Sequence, residues 1–306
     1  MIIGELSALS VSLLWTAGSI MFASAARRIG AFSVNALRIV FAIFLIALTH
    51  ALLYGSFLPV EANIHQWLYL SISGLIGLAI GDYAYFASMV YIGPRRGVLL
   101  LSTAPIFATV FGYVVLGEVL GTWSLIGIAV TMTGVMMVIL EQEGRTREQP
   151  RTPREKSLGV FFGLIAGMGQ GVGLVISKYG MINVADEGAG ALNPLSATMI
   201  RLIAAALIIW IGILITRRTS SITSTLKNKQ AMTRMVGGTI TGPFLGIWLS
   251  MIAVTYTEAG IAATLMSLMP VVVIPVVYIV YKQKTSPRSI IGAVIAVIGV
   301  AMLFLM

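Results

Sequence analysis

Ten stretches of this chain stay apolar for about twenty residues each, and nothing else limits its fold as strongly. They are residues 4–25, 33–54, 67–90, 95–116, 122–140, 158–178, 194–215, 233–255, 260–281 and 288–306. About 20 residues cross a hydrocarbon core roughly 30 Å thick, at a rise of about 1.5 Å per residue. Lipid offers no partner to open backbone groups, so each stretch is expected to be a helix. Only 10% of residues are charged, 58% are hydrophobic and the mean hydropathy is +0.97. A soluble domain carries about 25% charged residues. The expected fold class is therefore an all-α polytopic membrane protein with ten transmembrane helices. The start, Met1-Ile2-Ile3-Gly4-Glu5, has no basic n-region, and a retained first helix is expected.

One long polar stretch, 141–157, divides the chain into a first five-helix half, 1–140, and a second, 158–306. The halves repeat. A shift of 165 residues puts Gly77 on Gly242, Gly81 on Gly246, Tyr83 on Trp248, Tyr91 on Tyr256, Pro105 on Pro270, Gly127 on Gly292 and Gly134 on Gly299. Slightly shorter shifts pair Trp15 with Gln170 and Arg38 with Arg201. Five is odd, so each half starts on one face and ends on the other, and the second half must be inverted. Inverted repeats are common in secondary transporters, with a central cavity near the midplane between them.

Charge chooses a side. All but three of the 20 Lys and Arg fall in loops on one face, among them Arg27, Arg28, Arg95, Arg96, Arg145, Arg147, Arg151, Arg217, Arg218, Lys282 and Lys284. The exceptions are Arg38, Lys178 and Arg201. Glu5, Glu61, Glu118, Asp186, Glu187 and Glu258 fall on the other face. The positive-inside rule expects the basic loops and the linker 141–157 in the cytoplasm and both termini outside. The net charge of +9 does not imply nucleic acid, because the basic residues sit in short inter-helix runs and form no stripe interleaved with aromatics. There is no cysteine, and the two histidines are His50 and His65. No metal and no cofactor is expected.

Asp82 is the only acidic residue well inside an apolar segment, where a charge costs about 2.5–3.5 kcal/mol on insertion scales. It is either a coupling site for protons or another ion (or a solute anchor), or the fixed partner of Arg38. Arg38 and Arg201 either snorkel to headgroups or form two gates, closed by Asp82 and by Glu258. Trp15, Ser19, Tyr83, Tyr85, Gln170 and Trp248 put polar or aromatic groups within the helices, as solute cavities require. Ser102, Thr103, Thr264 and Ser267 precede two repeat-related prolines. They are placed either to satisfy freed backbone groups or to line the cavity. Pro105, Pro270 and Pro275 are expected to kink helices four and nine, as hinges or as static bends. Gly159, Gly163, Gly167 and Gly171 read as a close-packing ladder. Glu118 reads as a helix-end residue at the outer surface.

The run Gly81-Asp82-Tyr83-x-Tyr85-Phe86, through Ile92-Gly93 and Arg96 to Leu101-Ser102-Thr103-Ala104-Pro105 and Leu116-Gly117-Glu118, resembles the EamA-type permeases of the drug/metabolite transporter superfamily. Trp15, Arg38 and the helix from Gly127 to Gly134 are similar too, whereas Lys282-Gln283 stands where the family often has Gly-Glu. The resemblance implies two inverted five-helix repeats around a central cavity. It also implies a secondary, non-enzymatic transporter for amino acids, their derivatives or other small metabolites, often for export. No Walker motif is present, so transport would be driven by gradients or be passive. The partners expected are a small-molecule metabolite, membrane lipids and a coupling ion. The other readings are a lipid-carrier flippase of the same superfamily, a membrane-embedded enzyme, and a receptor without transport.

Overall fold

The structure, a computed structural model, describes residues 2–141, 152–182, 190–216, 222, 225–281 and 286–305. Among them every regular element is a helix. The first two spans are α1 (Ile2–Ile29) and α2 (Ala31–Tyr54). The third joins α3 (Ile64–Gly74) through a π segment, Leu75–Gly81, to α4 (Asp82–Ile92). The fourth is broken into α5 (Pro94–Leu101) and α6 (Ala104–Leu116), and α7 (Thr122–Glu141) is the fifth. The second half repeats this pattern. Spans six and seven are α8 (Pro153–Ile182) and α9 (Pro194–Ile215). Span eight is α10 (Lys229–Thr239), a π segment Ile240–Phe244, and α11 (Leu245–Tyr256). Span nine is α12 (Ala259–Met266) and α13 (Met269–Tyr281), and α14 (Pro287–Phe304) is the tenth.

The repeat is geometric as well as sequential. The π segments begin at Leu75 and Ile240, the broken spans at Pro94 and Ala259, and their second pieces at Ala104 and Met269, each pair 165 residues apart. The sixth span starts earlier than its apolar stretch. Thr152 and Glu155 cap it reciprocally, the Thr152 N–H donating to the Glu155 carboxylate at 2.8 Å and the Glu155 N–H to Thr152 Oγ1 at 3.3 Å. Such a box satisfies two of the orphan donors at a helix start. Most of the polar linker lies outside the described residues, with Arg145, Arg147 and Arg151. So do Asp186, Glu187, Arg217, Arg218, Lys282, Gln283 and Lys284.

The fourth and ninth spans differ from the kinks expected at proline. Pro105 is the second residue of α6 and Pro270 the second residue of α13. There a missing N–H breaks no helical bond, so the interruption falls one step earlier, at Ser102-Thr103 and Ser267-Leu268. Of these three prolines, Pro275 alone lies inside a helix. The hydroxyls beside the breaks bond upstream carbonyls: Ser102 to Val98, Thr103 to Leu100, Thr264 to Gly260 and Ser267 to Ala263, at 2.6–2.9 Å.

The halves interlock. The opening span of each repeat packs on the third span of the other: α1 on α10 and α11, and α8 on α3 and α4. Small residues allow the approach, as in membrane bundles generally. A Cβ at Gly246 would overlap the Trp15 indole nitrogen, and one at Gly81 would stand 3.8 Å from the Gln170 backbone nitrogen. Spans five and ten form a separate tight pair, in which Gly134 leaves room for Gly292 and Ala296. The outer face of this pair (Ile290, Val294, Val297) is exposed, as a lipid-facing wall is.

Candidate functional site

Asp82 is the first residue after the π segment of span three. Such register shifts recur at functional sites in other proteins. Its Oδ2 accepts from Arg38 Nη2 at 2.5 Å, and its Oδ1 from Gln170 Nε2 at 3.1 Å. Gln170 also reaches the Gly77 carbonyl at 3.3 Å. The Asp82 carboxylate therefore ties span three to span two of its own repeat and to span six of the other. Arg38 is held further by Asn35 Oδ1 at 2.9 Å. The rings of Phe22 and Phe86 lie 5.8 and 5.9 Å from its guanidinium, within cation–π range. Both charged side chains are mostly buried, with 17% and 18% exposure. Tyr85 stands within electrostatic range of Asp82.

A second ion pair lies at the opposite end of the bundle. Gly117 adopts a left-handed conformation (φ 67°). Its N–H and that of Glu118 close the last turn of α6 onto Tyr113 and Gly112, a Schellman-type ending that only a residue tolerant of positive φ allows. This turns Glu118 inward. Its Oε1 accepts from Lys178 Nζ at 2.6 Å and its Oε2 from the Ala259 backbone N–H at 2.9 Å, which caps α12. Lys178 also donates to the Thr257 carbonyl at 2.7 Å. A cavity of about 290 Å³ opens beside this cluster, lined by Glu118, Lys178, Thr255, Tyr256, Thr257 and Glu258. A second, of about 420 Å³, lies between spans three, four and six and is lined by Tyr69, Ile72, Val115, Ile176 and Tyr179.

The same end holds a third network. His50 is fully buried. Its Nδ1 faces the Ser56 carbonyl at 2.6 Å, and its Nε2 lies 2.8 Å from Ser196 Oγ. Ser196 donates to Glu61, and Asn193 Nδ2 donates to the same carboxylate at 3.1 Å. Burial alone would raise the Glu61 carboxyl, but the Ser196 hydrogen bond, a backbone hydrogen bond and His50 outweigh it and hold it below its ordinary value.

The remaining expected residues separate. Gln170 and Arg38 converge on Asp82, whereas Trp15 packs on Gly246 and Trp248 tilts against Phe244 at 6.2 Å. Ser19 bonds its own helix at the Thr16 carbonyl. Tyr83 does not line an interior surface: it is 68% exposed. The pairing expected between Arg201 and Glu258 is not formed. Arg201 Nη1 donates to Met251 Sδ at 3.1 Å, while Glu258 accepts from Thr257 Oγ1 at 3.2 Å beside the Lys178 cluster. Neither of the two cavities is lined by Asp82, Trp15 or Gln170. The reading of Glu118 as a surface helix end is also corrected: its side chain is 11% exposed and paired.

A model of the EamA-like transporter family matches residues 2–140 and, again, 157–305. The chain belongs to the EamA-like transporter family. Members of this family are membrane transporters of the drug/metabolite superfamily, and the two matches fall on the two repeats just described. Among solved structures, 29 chains match. One of them, titled "Crystal structure of protein", superposes on 99% of this EamA-like chain and 96% of its own at a TM-score of 0.77 and 16% identity, a likeness of fold alone. The comparison with curated proteins gives no match.

Proposed function

We propose that this EamA-like protein is a secondary transporter that exports a small metabolite, such as an amino acid or a derivative, across the cell membrane by alternating access. The observation that carries this reading is the Asp82 tie. One buried carboxylate joins Arg38 of its own repeat to Gln170 of the inverted one, so parting the halves at that end must break it. At the other end lie the Lys178–Glu118 pair and both cavities. The arrangement reads as closed at the Asp82 end and partly open at the other. The Asp82 end is the basic one and is assigned to the cytoplasm, with both termini outside. Protonation of Asp82 would weaken its hold on Arg38 and so couple opening to a proton. The lipid-flippase reading calls for a lateral opening lined by basic residues. The cleft between spans three, four and six is lined instead by Tyr, Ile and Val.

The test is flux of an amino-acid mixture from proteoliposomes under an imposed proton gradient. Asp82→Asn is expected to abolish the pH dependence of flux. Full pH-dependent flux in that variant would rule out the coupling role. A carboxyl-terminal reporter that is active only in the cytoplasm would, if it lit up, reverse the orientation.

A further inference from the structure

Arg38 and Arg201 are each the eighth residue of their helices, α2 and α9. Arg38 has Asp82. The position that matches Asp82 in the second repeat, 165 residues on, is Ile247. Arg201 is thus the same arginine without its acid.

Its surroundings confirm the deficit. Arg201 is 3% exposed, and its Nε is buried without a hydrogen-bond partner. Among the described residues its acceptor is the Met251 thioether, 3.1 Å from Nη1, and a thioether accepts weakly. A Cβ on Gly77 would sit 3.4 Å from Nη2, so that side of the guanidinium faces bare backbone. Among the described residues no carboxylate stands within ion-pair distance of Arg201. Asp82 is the acid whose charge reaches it, but both Asp82 oxygens are already taken by Arg38 and Gln170. Glu118 and Glu258 are engaged around Thr257 and Ala259. Arg38, Asp82 and Arg201 together therefore leave one positive charge uncompensated inside the bundle. A buried ion without a partner costs several kcal/mol.

We infer that Arg201 anchors a single negative charge on the transported solute, a carboxylate, which takes toward Arg201 the place that Asp82 takes toward Arg38. This rests on the transporter reading and names its substrate class. The planar guanidinium fork matches a carboxylate in two parallel hydrogen bonds. One negative charge neutralises the trio, whereas a phosphate dianion would leave it net negative.

The probe is an equimolar pool of free amino acids and 2-hydroxy acids, set against the same compounds as carboxamides and against inorganic phosphate. The readout is the thermal midpoint of the purified protein in detergent. The acid pool is expected to raise the midpoint, with little shift from amides or phosphate. Arg201→Lys is expected to weaken half-saturation at least tenfold, and Arg201→Met to abolish the shift. Arg201→Met is also expected to raise the midpoint of the unliganded protein, because it removes a buried unpaired charge. Four outcomes overturn the inference: no shift with the acid pool, equal shifts with amides or phosphate, an undiminished shift in Arg201→Met, or a lowered unliganded midpoint in that variant. Flux is measured separately. Carboxylate binding without flux of any pool member sinks the transporter reading and leaves the anchor. Undiminished carboxylate flux through Arg201→Met sinks the anchor and leaves the transporter.

Discussion

Replacing Lys178 with methionine strands the carboxylate of Glu118. The two side chains are 12% and 11% exposed, and the ammonium lies 2.6 Å from Oε1. At an effective dielectric of about 20, unit charges at that separation attract by roughly 6 kcal/mol. Desolvation of the two ions offsets most of this, but removing one member alone typically costs about 3–5 kcal/mol. The cost here belongs at the lower end, about 3 kcal/mol, because the Ala259 N–H keeps donating to Oε2 at 2.9 Å. Adding Glu118→Gln to Lys178→Met removes the stranded charge and is expected to restore about 2 kcal/mol, a coupling within the range for residues in contact. Reversible unfolding in detergent–SDS mixed micelles measures all three variants. A single variant within about 0.5 kcal/mol of the parent, or a double variant equal to the sum of the singles, refutes the claim that this pair is buried and interdependent.

Gly246→Val drives a branched side chain into the Trp15 indole and is expected to cost about 1–3 kcal/mol, the usual penalty of overpacking; the same unfolding assay decides it. Gly134→Leu pushes against the backbone of Gly292 and Ala296. It is expected to detach the pair of spans five and ten, read as new protease cleavage between residues 117 and 121 or a lowered thermal midpoint; an unchanged midpoint and digest would refute the packing. Glu61 is held below its ordinary value of 4.5 in the folded state, so its contribution to stability is fully present above about that pH and is lost as pH falls through the lower folded value. Thermal midpoints from pH 3 to 7 are expected to fall less steeply on acidification in Glu61→Gln than in the parent, and identical profiles would count against the network.

The spans were legible because lipid enforces them: length and apolarity leave a helix no alternative. The 165-residue offset was legible because Gly81 and Gly246 perform the same packing task in each repeat. The Asp82–Arg38 contact followed from two lone charges placed near the same end of neighbouring spans. Gln170 was visible as a polar residue but not as a ligand of Asp82, because that contact joins different repeats and depends on how α8 seats against α4. Glu118 was misread since its partner Lys178 lies 60 residues away, and only the glycine-directed turn at Gly117 aims it inward. The His50–Ser196–Glu61 network left no local pattern, being assembled from a helix end, a loop and the start of another helix. Glu258 was assigned to Arg201 only by its charge and its place on the same face. The register of the eighth span puts Met251 there instead.

The exchange of opening spans has a bearing on how the chain matures. While residues 1–140 are being threaded into the bilayer, α1 has α2 beside it but lacks most of its seat, which is built by residues 229–256. The nascent first half must wait, incomplete, in the company of lipid or of an insertion chaperone until the eighth span arrives. Assembly is thus a late, whole-chain event, and quality-control proteases will see either half made alone as unfinished.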